Sequence, residues 1–508
     1  TTSLIDSKSE WFDETTIVFQ QVLNQVATNL NEIHNVNYSS RYWNIFAGAW
    51  LQQFVDMVMF RMFDIDRKAE LPAASTNFLP ASSLKQFHEF SKSESFVERL
   101  HYDTSVQLQH PKISGATDVT GGGNSQMNAS GRKRGRSFAT ATYLPRKTEA
   151  LLQLHLGRIP QRIKVQNLPA AKNGSKLRQL LSNSTRNNSI KAQIVIALLP
   201  SYMPCTYVEH YVELARTRKP WSSKRYPRVI FTANRHLYDD VFNYWTAHAA
   251  ESGSQIVLAQ HGGQFGISEF PSFSERHELE ISDRYLTWGW KSSDNCYPGF
   301  ALTVNNAKKI KPQKLGNLLV VTDELWKYPR SVFTDLSDNS EYLEHLSNTI
   351  SFLHPDIQTD VLLRIHHAEA QSGAPQRQWW INKYPDIAHD DGKFSFQQML
   401  AESRLVLIAH NGTSIPESIA LHAPTIITWS DSYMKVRRSA EAVFDALEQV
   451  GIFHRTPESA ASFINSIWDD VDGWWNSSAT IDARKQFTDQ YARTVSNPVR
   501  FLVKALQF

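Results

Sequence analysis

Three short segments combine side chains that can handle phosphate or a proton with small residues that let backbone approach a ligand. The first is residues 405–429, LVLIAHNGTSIPESIALHAPTIITW. Its apolar run reads as a buried strand ending at Ala409, followed by a turn and a helix. Asn411 and Gly412 suit the turn, Thr413 or Ser414 can cap the helix, and Pro416 fits its first turn. A helix start beyond the carboxyl end of a strand offers free N–H groups to an anion such as a nucleotide phosphate. The Thr413 and Ser414 hydroxyls add donors, and Glu417, one turn in, is placed for ribose hydroxyls. An ordinary capped turn of any Rossmann-like domain carries the same pattern, so both readings stand.

The second segment, residues 256–266, reads IVLAQHGGQFG. A strand ends and His261 follows, with Gly262 and Gly263 allowing close backbone approach. His261 is a candidate general base or anion contact; the alternative is a turn whose His is satisfied by backbone. Neither a Walker A loop nor GxGxxG is present. Several carboxylates lie downstream between Glu275 and Asp283, of which Glu278 is the first choice as nucleophile or base. The third segment, residues 362–369, is LLRIHHAE. If its strand continues to His366, Arg364 and His366 share a face, suited to a phosphate and to the leaving group. The paired histidines lack HExxH spacing, and the DxD triplets Asp64–Asp66 and Asp470–Asp472 read as surface helix residues. No metal site and no cofactor are expected, and a helix start with basic side chains would stabilise the leaving nucleotide.

The elements that position these segments follow from periodicity. Residues 10–67 carry helical spacing, including Tyr42, Phe46, Trp50, Phe54 and Val58. Residues 103–140, rich in Gly, Ser and Asn, read as a mobile loop or linker. Its basic run Arg132, Lys133, Arg134 and Arg136 either touches an anionic surface or is simply solvated. From about residue 190, strands at 194–199, 229–231 and 256–259 alternate with a helix at 236–252. A second series has strands at 318–321, 361–363, 405–408 and 424–427, with helices at 339–354, 396–403 and 414–421. Two successive α/β units imply parallel sheets and two Rossmann-like domains facing a cleft. The boundary is placed near residue 312, giving domains 1–312 and 313–508, the second with a helical tail over 480–508.

Composition excludes several classes. The 508 residues are too many for one ordinary domain. A net charge of +3, from 53 basic and 50 acidic residues, is too balanced for nucleic-acid binding. Cys205 and Cys296 form no framework and read as two reduced, buried thiols. The opening residues carry no secretory pattern, and Gln52, Gln53, Asp56 and Arg61 interrupt the most apolar stretch. A cytoplasmic location with at most peripheral membrane contact, at the inner face of the inner membrane, is expected.

Six longer stretches carry a resemblance: HNVNYSSRYWNIFAGAWLQQF (34–54), YLPRKTEALLQLHLGRIP (143–160), QHGGQFG (260–266), HELEISDRYLTWGW (277–290), NGTSIPESIALHAPTIITW (411–429) and GIFHRTPESAASFINSIWDDVDGWW (451–475). The chain resembles transferases encoded in bacterial O-antigen and capsule clusters. More distantly it is similar to capsule Kdo transferases and retaining pseudaminyltransferases. The resemblance implies a glycosyltransferase of GT-B type using a CMP-activated nonulosonic acid or Kdo as donor and a glycan or lipid-linked glycan as acceptor. It also implies that His366 and the 411–417 turn hold the nucleotide, and that a first-domain carboxylate acts as nucleophile. The stretch 103–140 departs from the compact pattern of that family. A UDP- or GDP-sugar donor on the same fold, and a non-catalytic glycan-binding scaffold, are the alternatives.

Overall fold

The computed structural model describes residues 4–68, 99–100, 103–104, 137–160, 175–217, 226–305, 308–311, 313–325, 339–366, 376–390 and 393–507. Its first layer is a pair of long helices, α1 (Leu4–His34) and α2 (Ser40–Lys68). The four-residue rhythm of α2 is buried along its whole length, with Tyr42, Trp43, Trp50 and Phe54 fully enclosed. A helix apolar on every side has to sit inside the protein rather than on its surface. Its polar interruptions, Gln52, Gln53 and Asp56, are buried with it. Among the described residues no helix is long and apolar enough to cross a membrane.

A five-stranded sheet follows, with strands β1 (Phe138–Ala139), β2 (Val229–Thr232), β3 (Gln255–Ala259), β4 (Arg284–Thr287) and β5 (Cys296–Pro298) in that spatial order, all parallel. A second, six-stranded parallel sheet contains β6 (Asn317–Val321), β7 (Val361–Arg364), β8 (Ala388–His389), β9 (Ser403–Ile408), β10 (Thr425–Thr428) and β11 (Phe453–His454). Their spatial order is β11-β10-β9-β6-β7-β8. That is the doubly wound dinucleotide-binding order, with its reversal between β6 and β9. β2, β9 and β10 are almost wholly buried, as strands covered on both faces must be, which explains their unbroken apolar runs. The α/β class with two Rossmann-like sheets and a helical N-terminal region is therefore the one observed.

Two expectations fail for identifiable reasons. The run at 194–199 is not a strand but the middle of helix α3 (Ile190–Tyr202), capped by Ser189, whose hydroxyl accepts from the Ala192 N–H. Ile194, Val195, Ile196, Leu198 and Leu199 are all buried, so the helix is enclosed and has no polar face to reveal its period. The first sheet begins instead at β1, inside the 103–140 stretch read as a loop. Two residues are too short to show a period, yet Phe138 and Ala139 pair with Ile230 and Phe231. Residues 105–136, including the basic run, lie outside the described residues.

The remaining helices that matter are α4 (Asp240–Glu251), α5 (Phe273–Ile281), α6 (Asn339–Ser351), α7 (Phe396–Glu402), α8 (Ser414–Ala420), α9 (Arg438–Gln449), α10 (Ser478–Tyr491) and α11 (Pro498–Ala505). The tail does not stay on the second domain. α10 packs on α9 of that domain, and then Leu502, Ala505 and Leu506 bury against Val229, Phe231 and Val257 of the first sheet. α11 has a strongly apolar side and needs a sheet face to cover it. The chain thus crosses twice between its two halves.

Candidate active site at the junction of the two sheets

Glu278, on α5, is completely buried and has three hydrogen-bond donors. Its Oε1 is bonded by His261 Nε2 at 2.7 Å and by His236 Nε2 at 3.0 Å, while Tyr285 OH donates to Oε2 at 2.9 Å. Burial alone would push the carboxyl up, but the charge and hydrogen bonds of His261 and His236 outweigh it and hold the group down at about 2. Glu278 is therefore an enclosed carboxylate. An attacking nucleophile needs an open approach, and this one has none; its geometry is that of a group that orients an imidazole. His261 is the member with an open edge, its side chain 15% exposed against 4% for His236.

Strand ends and helix packing build this cluster. His261 follows the end of β3, and His236 lies in the turn after β2, where Asn243 Nδ2 donates to its backbone carbonyl at 2.7 Å. Helix α5 starts at the Ser272 cap, and α2 packs along its outer side. His277 Nε2 bonds the Asn44 carbonyl of α2 at 2.9 Å, and Arg276 pairs with the buried Asp56 of α2. Burial pushes His277 down to about 4. Tyr143, with φ +60°, accepts a hydrogen bond from Asn234 Nδ2 at 2.6 Å beside the same strand ends.

The 411–414 turn lies where the doubly wound order reverses, just beyond β9, with Asp323 just beyond the neighbouring β6. Ligands of open α/β sheets bind in such a crevice. His410 is buried here and bonds Ser414 Oγ at 3.0 Å; burial lowers its proton affinity, with Asp323 and the Val321 backbone opposing. Asp323 N donates to Tyr342 OH of α6 at 2.8 Å, which fixes that strand end. Thr413 precedes α8 but its hydroxyl does not cap it. Glu417, half-buried in α8, has its carboxyl pushed up by burial, with Thr303 opposing.

The first-domain loop sits directly on this turn. Gly263 N donates to Thr413 Oγ1 at 3.1 Å, and Asn411 Nδ2 donates to Ser268 Oγ at 2.9 Å. A Cβ on Gly263 would lie 2.6 Å from Thr413 Cα and 2.7 Å from the Gly412 carbonyl, so only glycine fits the approach. Further along, Ser268 and Val436 form an antiparallel bridge, and Arg437 N donates to the Ile267 carbonyl at 2.8 Å. The Arg437 guanidinium reaches back to the buried Glu275 of α5 at 2.9 Å. Burial raises Glu275, and Arg437 counters it.

Of the residues singled out in the sequence, the structure brings His261, Gly262, Gly263 and Glu278 together with Asn411, Gly412, Thr413 and Ser414. Arg364 stands apart: it ends β7, and its guanidinium bonds the buried Asp390 carboxylate at 2.7 Å and lies over Phe396 of α7. β7 stops at Arg364, so the shared strand face with His366 does not exist; His366 follows two residues beyond the strand. His367 lies outside the described residues. His236, Asp323, His410 and Arg437 were missed. His236 and His410 each follow a buried strand, the same signal that singled out His261. Among the described residues no group of three or more His, Cys, Asp or Glu side chains could hold a metal ion. Cys205 and Cys296 are buried, and Arg178 Nη2 donates to Cys205 Sγ at 3.4 Å.

Comparison with known proteins adds a family. The sequence model of the LIC12162 family transferases matches residues 6–110 and 124–506. No curated protein matches the chain. Similar solved structures include a candidate UDP-N-acetylglucosamine 2-epimerase of Listeria monocytogenes, at 10% identity and TM-score 0.39, covering 74% of this chain and 96% of that one. The S. aureus MnaA–UDP structure has 11% identity and TM-score 0.38, covering 73% and 95%. WaaG, a glycosyltransferase involved in lipopolysaccharide biosynthesis, has 12% identity and TM-score 0.31, covering 73% and 98%.

Proposed function

Because this chain belongs to the LIC12162 family of transferases, we propose that the group it transfers is a sugar, moved from a nucleotide donor to a hydroxyl of a glycan or lipid-linked glycan. One observation carries the reading: the loop that bears His261, the partner of Glu278, rests on the 411–414 turn at the switch point of the second sheet, through the Gly263–Thr413 hydrogen bond. A proton acceptor and a nucleotide-type crevice therefore meet at one junction.

His261 is the general base. Its Nε2 is held by Glu278, which leaves Nδ1 to receive the acceptor's proton. The acceptor O–H bond breaks, the Nδ1–H bond forms, and the oxygen attacks the anomeric carbon. The anomeric C–O bond to phosphate breaks, and the nucleotide leaves with the electron pair. Glu278 stabilises the imidazolium that forms, as a buried carboxylate beside an imidazole does. The backbone and side chains of residues 411–414, with Glu417, receive the nucleotide.

The donor is a CMP-linked nonulosonic acid or Kdo, a reading supported by the sequence resemblance alone. Isothermal titration with CMP, UDP and GDP, without added metal, tests it. Selective CMP binding is expected. Selective UDP or GDP binding would replace the donor and keep the transfer; binding of none would overturn the nucleotide-dependent reading.

A further inference from the structure

The stretch 143–160 carries part of the sequence resemblance, yet no residue of it takes part in the reaction above. Its first residue stands on the same edge of the first sheet as His261. The parallel register of β1, β2 and β3 continues past the strands: Thr140 N donates to the Phe231 carbonyl and Ala233 N to the Ala141 carbonyl, each at 3.0 Å. Tyr143 therefore follows β1 as Asn234 follows β2 and His261 follows β3. Two strand spacings, about 10 Å, separate the first from the last, a gap that a sugar ring can span.

The backbone at Tyr143 is held in a costly shape. Of the four non-glycine residues with positive φ among the described residues, two are Ala141 at +49° and Tyr143 at +60°. A Cβ crowds the neighbouring carbonyl in that region, so the shape persists only where surroundings enforce it. Glu149 does so: its Oε2 accepts from Thr142 N at 3.1 Å and from Thr142 Oγ1 at 2.6 Å. Glycine or asparagine would serve such a turn with less strain. A ring needed only for packing would be turned inward, yet Tyr143 is 43% exposed. Its hydroxyl is nevertheless fixed, by Asn234 Nδ2 at 2.6 Å. Burial pushes that hydroxyl up, with Asn234 opposing and Tyr238 and Glu278 adding to the rise, so it keeps a proton to donate.

We propose that Tyr143 is an acceptor-binding residue, whose ring stacks against the C–H face of a sugar ring in the glycan that receives the transferred group. The inference rests on the sugar-transfer reading of the junction. The face of an aromatic ring is electron-rich, and the oxygens of a sugar leave the hydrogens of its C–H face positive, so the two attract while covering apolar area. The tethered hydroxyl fixes which way this platform faces, and its own proton binds a sugar oxygen. The acceptor then lies along the sheet edge, with its reacting hydroxyl at His261.

The test follows the ring itself. The full chain is labelled with fluorotyrosine and studied by fluorine NMR, the Tyr143 signal being assigned by its loss in Tyr143→Phe. The probes are methyl glycosides of glucose, galactose, N-acetylglucosamine and N-acetylgalactosamine, and Kdo. At least one is expected to move the Tyr143 signal saturably; a signal that none of them moves would overturn the proposal. In transfer assays, Tyr143→Gly suits the left-handed backbone and removes the ring. It is expected to raise the acceptor KM about tenfold, with kcat and the donor KM within about twofold of wild type. Tyr143→Phe keeps the ring and is expected to raise the acceptor KM less than about threefold. An unchanged acceptor KM in Tyr143→Gly, or an equal rise in both variants, would also overturn the proposal. A purely structural role would move the unfolding midpoint and leave the acceptor KM alone. Saturable glycoside binding at Tyr143 in a protein that transfers no sugar would defeat the proposed function and leave the sugar subsite standing.

Discussion

Gly263 and Thr413 are 150 residues apart in sequence and joined by a 3.1 Å hydrogen bond, backbone N–H to side-chain oxygen. The contact places a loop two residues beyond His261 against the turn that ends β9. It couples the half that bears the His261–Glu278 pair to the half with the doubly wound sheet. Gly263→Ala would drive a methyl into Thr413 Cα and the Gly412 carbonyl. Overpacking of this kind costs about 1–3 kcal/mol, and the loop has backbone rather than a flexible side chain to move. The variant is expected to lower the unfolding midpoint and to reduce transfer more than tenfold. Thr413→Val, which removes only the acceptor, is expected to cost about 1 kcal/mol. Thermal unfolding of the two variants checks the ordering.

Arg437 is the second clasp, and its partner is the more sensitive member. Glu275 is fully buried, so Arg437→Met leaves a carboxylate enclosed without its counter-charge. Breaking a buried pair from one side costs about 3–5 kcal/mol. The double variant Arg437→Met/Glu275→Gln is expected to recover much of that loss. A double-mutant cycle by urea unfolding reads the coupling; additive losses would contradict the pairing.

Stability is expected to fall with acid in two stages. His277 has its folded value depressed to about 4 from 6.5, so its contribution is complete above 6.5 and fades as the pH falls through 4. Glu278 is depressed to about 2 from 4.5, so its contribution is complete above 4.5 and fades as the pH falls towards 2. Urea midpoints should therefore be level above neutrality and decline from about pH 6.5 downward. Burial holds His345 and His422 down to about 4 as well. His277→Gln should therefore make the upper part of the decline shallower without abolishing it and leave the lower part unchanged.

Arg364 separates a structural role from a ligand role. Its guanidinium is held by Asp390, so Arg364→Met is expected to destabilise the second domain while nucleotide affinity stays within about twofold of wild type. A large loss of affinity with unchanged stability would return Arg364 to the nucleotide site.

The parallel sheets were legible because β2, β3, β6, β9 and β10 are short, covered on both faces and flanked by turn residues. The amphipathic or long helices were legible from spacing. Residues 194–199 were not, because a helix buried all round writes the same apolar run as a strand. β1 was not, because two residues carry no period. In the site, His261 and the 411–414 turn were visible as strand-end chemistry, but their contact is a tertiary fact of domain docking. The role of Glu278 was hidden too: a helix position says nothing of three donors arriving from β2, β3 and β4. The pairing of Arg364 with Asp390, 26 residues on, was equally out of reach.

The most direct test of the account is release of nucleotide from a CMP-activated keto-acid sugar, in the presence of purified glycan acceptor, by the wild type and by His261→Asn. The account predicts turnover by the wild type and a loss of about 10²–10⁴-fold in the variant, with CMP affinity within about twofold of wild type. A variant that turns over at the wild-type rate, or a wild type that releases no nucleotide from any CMP-, UDP- or GDP-linked sugar, would contradict it.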